Sequence, residues 1–415
     1  MSGQGFGTEG FAFREQLSCM ARERMGVTEI GEMIALVVQN GAMSFGAGEP
    51  SADMFPKDGI RDAMDKAFRE CGDIWGYHHD EFGLIELREW ITRRMAEDGM
   101  SPSWAKPENI IITNGGGEAM SLVTEALVDP GSLVLVESPT YTESLLTFRK
   151  QGAVCVSVAS DESGIIPEEL TRVASSCRAR FLYTIPNFQN PSGRTTPLDR
   201  RIKILEILRD NDIALVEDDP YHYLSYDGEP PASYLKLAGD DMRVVHCNSF
   251  SKIIAPGLRC GWAVIPGALT DIFATLRVSS GLGRPLAIQR GIMNYLEKED
   301  FRARIEFLRS EYRGRRGVML GSIEKFLAPL GVKTNRPGGG FFIWADMLPG
   351  MSARQFAHYA VTEKKIGVIP GTAFYPSGEG KGDGSFRLSY AKVPAELIDE
   401  GISRLADAFR SFGSV

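Results

Sequence analysis

Seven short, almost wholly apolar runs recur between residues 110 and 265, and the turns that follow them are dense in glycine, proline or polar side chains. The runs occupy 110–113, 133–136, 154–158, 181–184, 213–216, 244–246 and 263–265. A strand with one wet face alternates apolar and polar residues, whereas a run without alternation needs cover on both faces. Helical patterns at 117–128, 142–151 and 198–210 fall between some of these runs. The combination predicts an α/β fold built on a mostly parallel seven-stranded sheet covered by helices.

A chain of 415 residues exceeds what one hydrophobic core organises, because cores stop growing at roughly 250–300 residues. Residues 51–300 are expected to form a large domain and 301–415 a smaller α+β domain, the latter entered through a long helical pattern at 305–326. Residues 1–50, with a helical stripe at Ile30, Met33, Ile34 and Val37, are expected to pack with the small domain. The net charge of −8 argues against nucleic acid or an anionic membrane as partner. Six cysteines without CxxC spacing suggest neither a zinc site nor a disulfide framework, so no metal is expected. The chain starts without the charged and apolar segments of a secretory signal, and no stretch reaches the roughly 18 apolar residues of a membrane span, which makes the cytoplasm the expected compartment.

Ligands of open α/β sheets collect outside the carboxyl ends of the strands, so the turns after the runs are where chemistry is sought. The densest is residues 244–262, where Ser249 and Ser251 flank Phe250, Lys252 follows, and Arg259 lies seven residues on. Ser249, Ser251 and Arg259 suit a phosphate. A lysine held among apolar neighbours is desolvated, which lowers its pKa and frees the neutral amine to attack a carbonyl. An aldehyde cofactor bearing a phosphate would use both. Gly115, Gly116 and Gly117 run from a strand into a helix, either as a plain structural turn or as a row of backbone N–H groups at a positive helix end. Tyr141 stands where an aromatic can stack on a flat ring or fill the core. Residues 185–193 form a Pro- and Gly-rich turn that can aim the Asn190 amide or simply reverse the chain. Glu217, Asp218 and Asp219 end a buried run, and three adjacent acids there are costly unless paired or bound; a metal is one explanation, a protonated heterocyclic nitrogen facing one of them another.

Taken in order, the segments Phe45-Gly46-Ala47-Gly48-Glu49-Pro50, Asn190 to Gly193 (NPSG), Glu217 to Tyr221 (EDDPY), Ser249 to Lys252 (SFSK), Pro256 to Trp262 (PGLRCGW), Gly338 to Trp344 (GGGFFIW) and Phe386-Arg387-Leu388-Ser389 closely resemble the fold-type I pyridoxal-phosphate enzymes. Within them the likeness is to the class I/II aminotransferases of the kynurenine and 2-aminoadipate branch. The resemblance implies a pyridoxal 5′-phosphate cofactor and a fold-type I architecture. It makes Lys252 the Schiff-base lysine and proton shuttle, and Asp218 the acid on the pyridine nitrogen. Asn190 and Tyr221 match the donors to the phenolic oxygen, and Tyr141 the residue stacked on the ring. Gly116, Gly117, Ser249, Ser251 and Arg259 match the phosphate site. Tyr77 matches a tyrosine that reaches the neighbouring subunit's phosphate, which implies a homodimer with shared sites. Arg387, with Asn190 and Gly48 nearby, matches the clamp on the substrate α-carboxylate. Amino acid and keto acid substrates follow.

Two departures bear on the reaction. Where relatives often carry Ile-Arg-Glu, with the arginine serving a dicarboxylic side chain, this chain reads Ile30-Gly31-Glu32. That cation is lost unless Arg14, Arg22 or Arg24 supplies it. The pair His78-His79 beside Tyr77 is either surface or an added acid/base pair. The same core supports elimination or replacement, cyclisation and carbon–carbon bond formation in specialised metabolism, so these stay open beside aminotransfer.

Overall fold

The computed structural model describes residues 13–77, 79–280 and 285–412. The first twelve residues of the glycine-rich lead and His78 lie outside them, and nothing is described of the Arg14 side chain. The first strand, β1 (Met43–Ser44), is a two-residue piece. The main sheet follows as β2 (Ile110–Thr113), β3 (Leu133–Ser138), β4 (Val154–Asp161), β5 (Gly164–Ile165), β6 (Ala179–Thr184), β7 (Ala214–Asp218), β8 (Val244–Ser249) and β9 (Gly261–Val264). Its order is β2-β9-β8-β7-β6-β3-β4-β5.

Strands β4, β3, β6, β7 and β8 run parallel, and β9 is antiparallel to both of its neighbours. The seven expected strands are all present. The eighth, β5, was not foreseen: Ser163 N donates to Asp161 Oδ1 at 2.7 Å and Gly164 adopts φ +87°, so the chain turns back on β4 for two residues. Strands β2, β8 and β9 are buried at every residue, as the lack of alternation required, whereas β4 is mostly half-buried. The sequence reading also passed over the helix Pro167–Ser176, which starts on a proline preset for the first helical turn and buries Leu170, Val173 and Ala174.

The long helix begins at Phe301, four residues before the expected start, because Asp300 accepts from the Arg302 and Ala303 N–H groups and caps it there. Beyond it lies a four-stranded antiparallel sheet of β10 (Lys333–Thr334), β11 (Phe342–Asp346), β13 (Ile369–Pro370) and β14 (Ser385–Ser389), in the order β10-β11-β14-β13. Strand β12 (Ile366–Gly367) pairs instead with β1 in parallel, and the helix Glu29–Gln39 packs against the helix Ala353–Lys364. The chain ahead of the main sheet is thereby tied to the second sheet. No helix among the described residues is long and apolar enough to cross a membrane.

Candidate active site

The carboxyl ends of the central strands face one cavity of about 420 Å³. Register explains why the loaded turns meet there. Thr113, Gly261 and Ser249 are neighbours across β2, β9 and β8, so the loop from Ser249 to Gly261 leaves and re-enters the sheet at the same edge as the Asn114–Gly117 turn.

The three acids at the end of β7 separate by strand alternation. Glu217 is fully buried and accepts from Tyr234 N (2.8 Å) and Leu235 N (3.1 Å), with His246 Nδ1 3.0 Å away. Asp219 accepts from Asn187 Nδ2 at 2.9 and 3.0 Å, and His222 Nδ1 lies 3.3 Å from it. Burial pushes the Asp219 carboxyl upward, but the hydrogen bond and charge of His222 outweigh it and hold the pKa below the ordinary value. Asp218, between them, points the other way and lines the cavity. Burial raises its pKa to about 6 although Tyr183 Oη donates to it at 2.8 Å. Two of the acids are thus structural, and one is presented to a ligand.

Lys252 lies in the turn after β8, and its Nζ donates to the Gly48 carbonyl at 2.9 Å. Desolvation lowers its pKa to about 8. Arg259 takes a left-handed conformation, φ +48°, and its Nη2 donates to the Asn114 carbonyl at 3.0 Å. Gly115 makes room for it: at φ +84°, a Cβ on this residue would stand 2.7 Å from Arg259 Nη2. Gly116 and Gly117 open the helix Gly116–Leu127, and a Cβ on either would meet nothing within 4 Å. Ser249 and Ser251 line the same corner.

Arg387 comes from the middle of β14. Its guanidinium lies over the rings of Phe342 (4.3 Å) and Phe374 (4.8 Å), with Nη1 donating to Asn190 Oδ1 at 2.6 Å and Nη2 to the Gly46 carbonyl at 2.7 Å. Burial brings its pKa down to about 10, which leaves it charged at neutral pH. Because Asn190 Oδ1 is occupied, the amide nitrogen is left to donate. Buried Glu137 steadies the turn before it by accepting from Thr184 Oγ1, Ile185 N and Gln189 Nε2 at 2.7–3.1 Å. Tyr141 and Tyr221 line the cavity, with burial raising both phenols, and Tyr221 packs edge-on against Phe341 and Phe342.

Of the residues singled out in the sequence, Lys252, Asp218, Tyr221, Asn190, Tyr141, Gly116, Gly117, Ser249, Ser251, Arg259, Arg387 and Gly48 all border this cavity. Tyr77 does not; its side chain is 74% exposed. His79 is likewise exposed and outside the lining. Gly31 sits in the first turn of its helix, where a Cβ would face Thr28 Oγ1 at 3.3 Å; Ile30 and Ile34 line the cavity in its place. Neither Arg22 nor Arg24 reaches the lining: Arg22 pairs with Glu23, and Arg24 donates to the Lys150 carbonyl at 3.5 Å. Sequence reasoning missed Tyr183, Asn248 and Glu143. Tyr183 was readable only through register, since β6 lies beside β7. Asn248 immediately precedes Ser249, and its Nδ2 is buried without a hydrogen-bond partner in the cavity wall.

The donor set fits a phosphorylated pyridine aldehyde: a recessed amine, a carboxylate in the same cavity, an open glycine corner with an arginine, and an unsatisfied amide nitrogen. Among the described residues no group of three or more potential metal ligands gathers.

The family model described as "Aminotransferase class I and II" matches residues 41–405. A 2-aminoadipate transaminase of Thermus thermophilus is 32% identical over 389 residues, covering 93% of this chain and 95% of that protein. Among solved structures, the α-aminoadipate aminotransferase of Thermus thermophilus complexed with N-(5′-phosphopyridoxyl)-L-leucine superposes with a TM-score of 0.89 at 31% identity, covering 97% of this chain and 100% of the other. The kynurenine aminotransferase of Pyrococcus horikoshii, determined with PMP, also reaches a TM-score of 0.89 at 31% identity, covering 96% and 98%.

Proposed function

The chain belongs to the class I and II aminotransferases, enzymes that depend on pyridoxal 5′-phosphate, and from that premise we propose how its own residues divide the transfer of an amino group from an amino acid to a keto acid. When bound, the cofactor supplies an aldehyde carbon for the amino group and a conjugated ring that spreads the electron pair left at the substrate α-carbon. Lys252 Nζ anchors the cofactor at rest and then carries the α-proton. A pKa near 8 suits both duties, because the amine gives up and regains a proton close to working pH.

Asp218 keeps the ring nitrogen protonated, and Tyr183 holds the Asp218 carboxylate in position through its 2.8 Å hydrogen bond. Asn190 Nδ2 and the Tyr221 hydroxyl donate to the phenolic oxygen, while Tyr141 covers the ring. The phosphate is held by Ser249, Ser251, Arg259 and the backbone N–H groups of Gly116 and Gly117 at the helix N-terminus. Arg387, its Nε without a partner, grips the substrate α-carboxylate beside Gly48 and Asn190.

Tyr77, exposed and remote from its own cavity, supports a homodimer in which each copy completes the other's phosphate site. Six free cysteines are in keeping with the cytoplasm. We treat residues 1–50, 51–300 and 301–415 as the N-terminal segment, large domain and small domain.

The observation that carries this reading is the meeting of Lys252, Asp218, Asn190 and Arg387 around one cavity. It is tested by mixing the cofactor-loaded protein with nitrogen-15 amino acids and an unlabelled keto acid. Label appearing in a new amino acid without net ammonia supports transfer; repeated ammonia release with no acceptor present contradicts it.

A further inference from the structure

The roles above use four of the five formally charged side chains that line the cavity among the described residues. The phosphate takes Arg259, the α-carboxylate Arg387 and the ring nitrogen Asp218, while Lys252 handles the proton. The fifth is Glu143. It stands in the first turn of the helix Thr142–Gln151, two residues after Tyr141, with an exposed side chain. No ion-pair partner for it occurs among the described residues. It lines the cavity together with Tyr141, Tyr221, Lys252 and Arg387, and its charge acts on all four. Glu49, the other acid whose charge acts on Lys252, is neutralised by an ion pair with Lys392.

The remaining walls supply no countercharge. Ile30, Ile34 and Met120 offer apolar surface, and Gly31 leaves the neighbouring helix without a cation. A substrate side chain entering this space meets methylene-compatible walls and the Glu143 carboxylate, which no ion pair occupies among the described residues. A second carboxylate would be repelled, whereas a terminal cation would gain a charge-assisted hydrogen bond.

We propose that Glu143 is a specificity-determining residue that selects amino acids whose side chain is an aliphatic stem ending in an ammonium or guanidinium group, and that it disfavours dicarboxylic substrates. This rests on the aminotransferase reading. A competing role exists on the same geometry, because Tyr141 lies within reach and Glu143 could simply position that ring. Glu143→Gln separates the two, since glutamine keeps the shape and an acceptor oxygen but removes the charge.

The experiment measures binding without reaction. Holoenzyme is titrated calorimetrically with 5-guanidinopentanoate and with 5-ureidopentanoate, near-isosteric carboxylates that lack the reacting amine and differ in charge. The guanidino compound is expected to bind about tenfold more tightly or better, from the usual strength of a charged hydrogen bond, and Glu143→Gln should erase the gap. Equal binding to wild type, or a gap that survives in Glu143→Gln, overturns the assignment. A loss of affinity in Glu143→Gln that is equal for both compounds assigns Glu143 to positioning Tyr141 instead. Turnover is scored separately with L-arginine, L-citrulline and L-2-aminoadipate plus a keto acid. Failure of transfer from every amino acid in the nitrogen-15 assay counts against the aminotransferase reading, while the calorimetric comparison still decides the charge preference.

Discussion

Asp218 and Glu143 are carboxylates in one cavity, yet they are built in opposite ways. Asp218 ends a strand in the middle of the sheet, flanked by two acids that are each locked by buried donors, with a tyrosine from the adjacent strand holding it. Glu143 projects from the first turn of a helix, exposed and without an ion partner among the described residues. The floor of the cavity is therefore fixed by consecutive strand ends, whose register the fold itself sets. The wall is assembled from separate segments: the helix Glu29–Gln39, the start of the helix Thr142–Gln151, and Arg387 from the second sheet. On the reading proposed above, chemistry is kept in the floor and selection in the wall.

The contrast predicts effects of different kind and size. Lys252→Ala strikes the floor where we place proton transfer, and kcat should fall by about 10²–10⁴ or more, with loss of the cofactor's covalent absorbance band. Arg387→Ala removes two or more charged hydrogen bonds from the wall. Its kcat/KM should fall by about 10²-fold, chiefly through KM, while the absorbance band survives. Glu217→Ala leaves two backbone N–H groups and His246 without their acceptor. It should cost about 3 kcal/mol in denaturant unfolding, against about 0.5 kcal/mol or less for Glu143→Gln. A large stability loss in Glu143→Gln would erase the distinction between floor and wall.

The floor also predicts a pH dependence. Desolvation holds the Lys252 amine at about 8, below the usual lysine value, so the protonated, unreactive form dominates under pH 8. The second-order rate of cofactor reloading into the stripped protein should rise about tenfold per pH unit below 8 and level off above it. Stopped-flow absorbance at a series of pH values checks this. A rate that keeps rising about tenfold per pH unit through pH 9, with no plateau near 8, would mean that the amine is not desolvated.

The floor was legible in the sequence because its signals are local. Unbroken apolar runs gave the buried strands, and the turns after them carried Lys252, Asp218, Asn190 and Arg259 in short segments. The status of the neighbouring acids was not legible: nothing local separates Glu217 and Asp219 from Asp218, and only strand alternation and partners as distant as Tyr234 and Asn187 do so. Tyr183 was hidden for the same reason, as its link to Asp218 spans two strands. Glu143 was unreadable because a first-turn glutamate favours the helix dipole and is ordinarily just that. Its place in the cavity depends on where Tyr141 starts the helix. Tyr77 stands outside the cavity of its own chain, so its role rests on the proposed homodimer.

The central claim is that Lys252 is the residue to which the cofactor attaches, and peptide mapping after borohydride reduction of the cofactor-loaded protein tests it directly. The account predicts a phosphopyridoxyl group on the peptide containing Lys252 and on no other lysine. Label on a different lysine, or none in a protein that retains transfer activity, would contradict it.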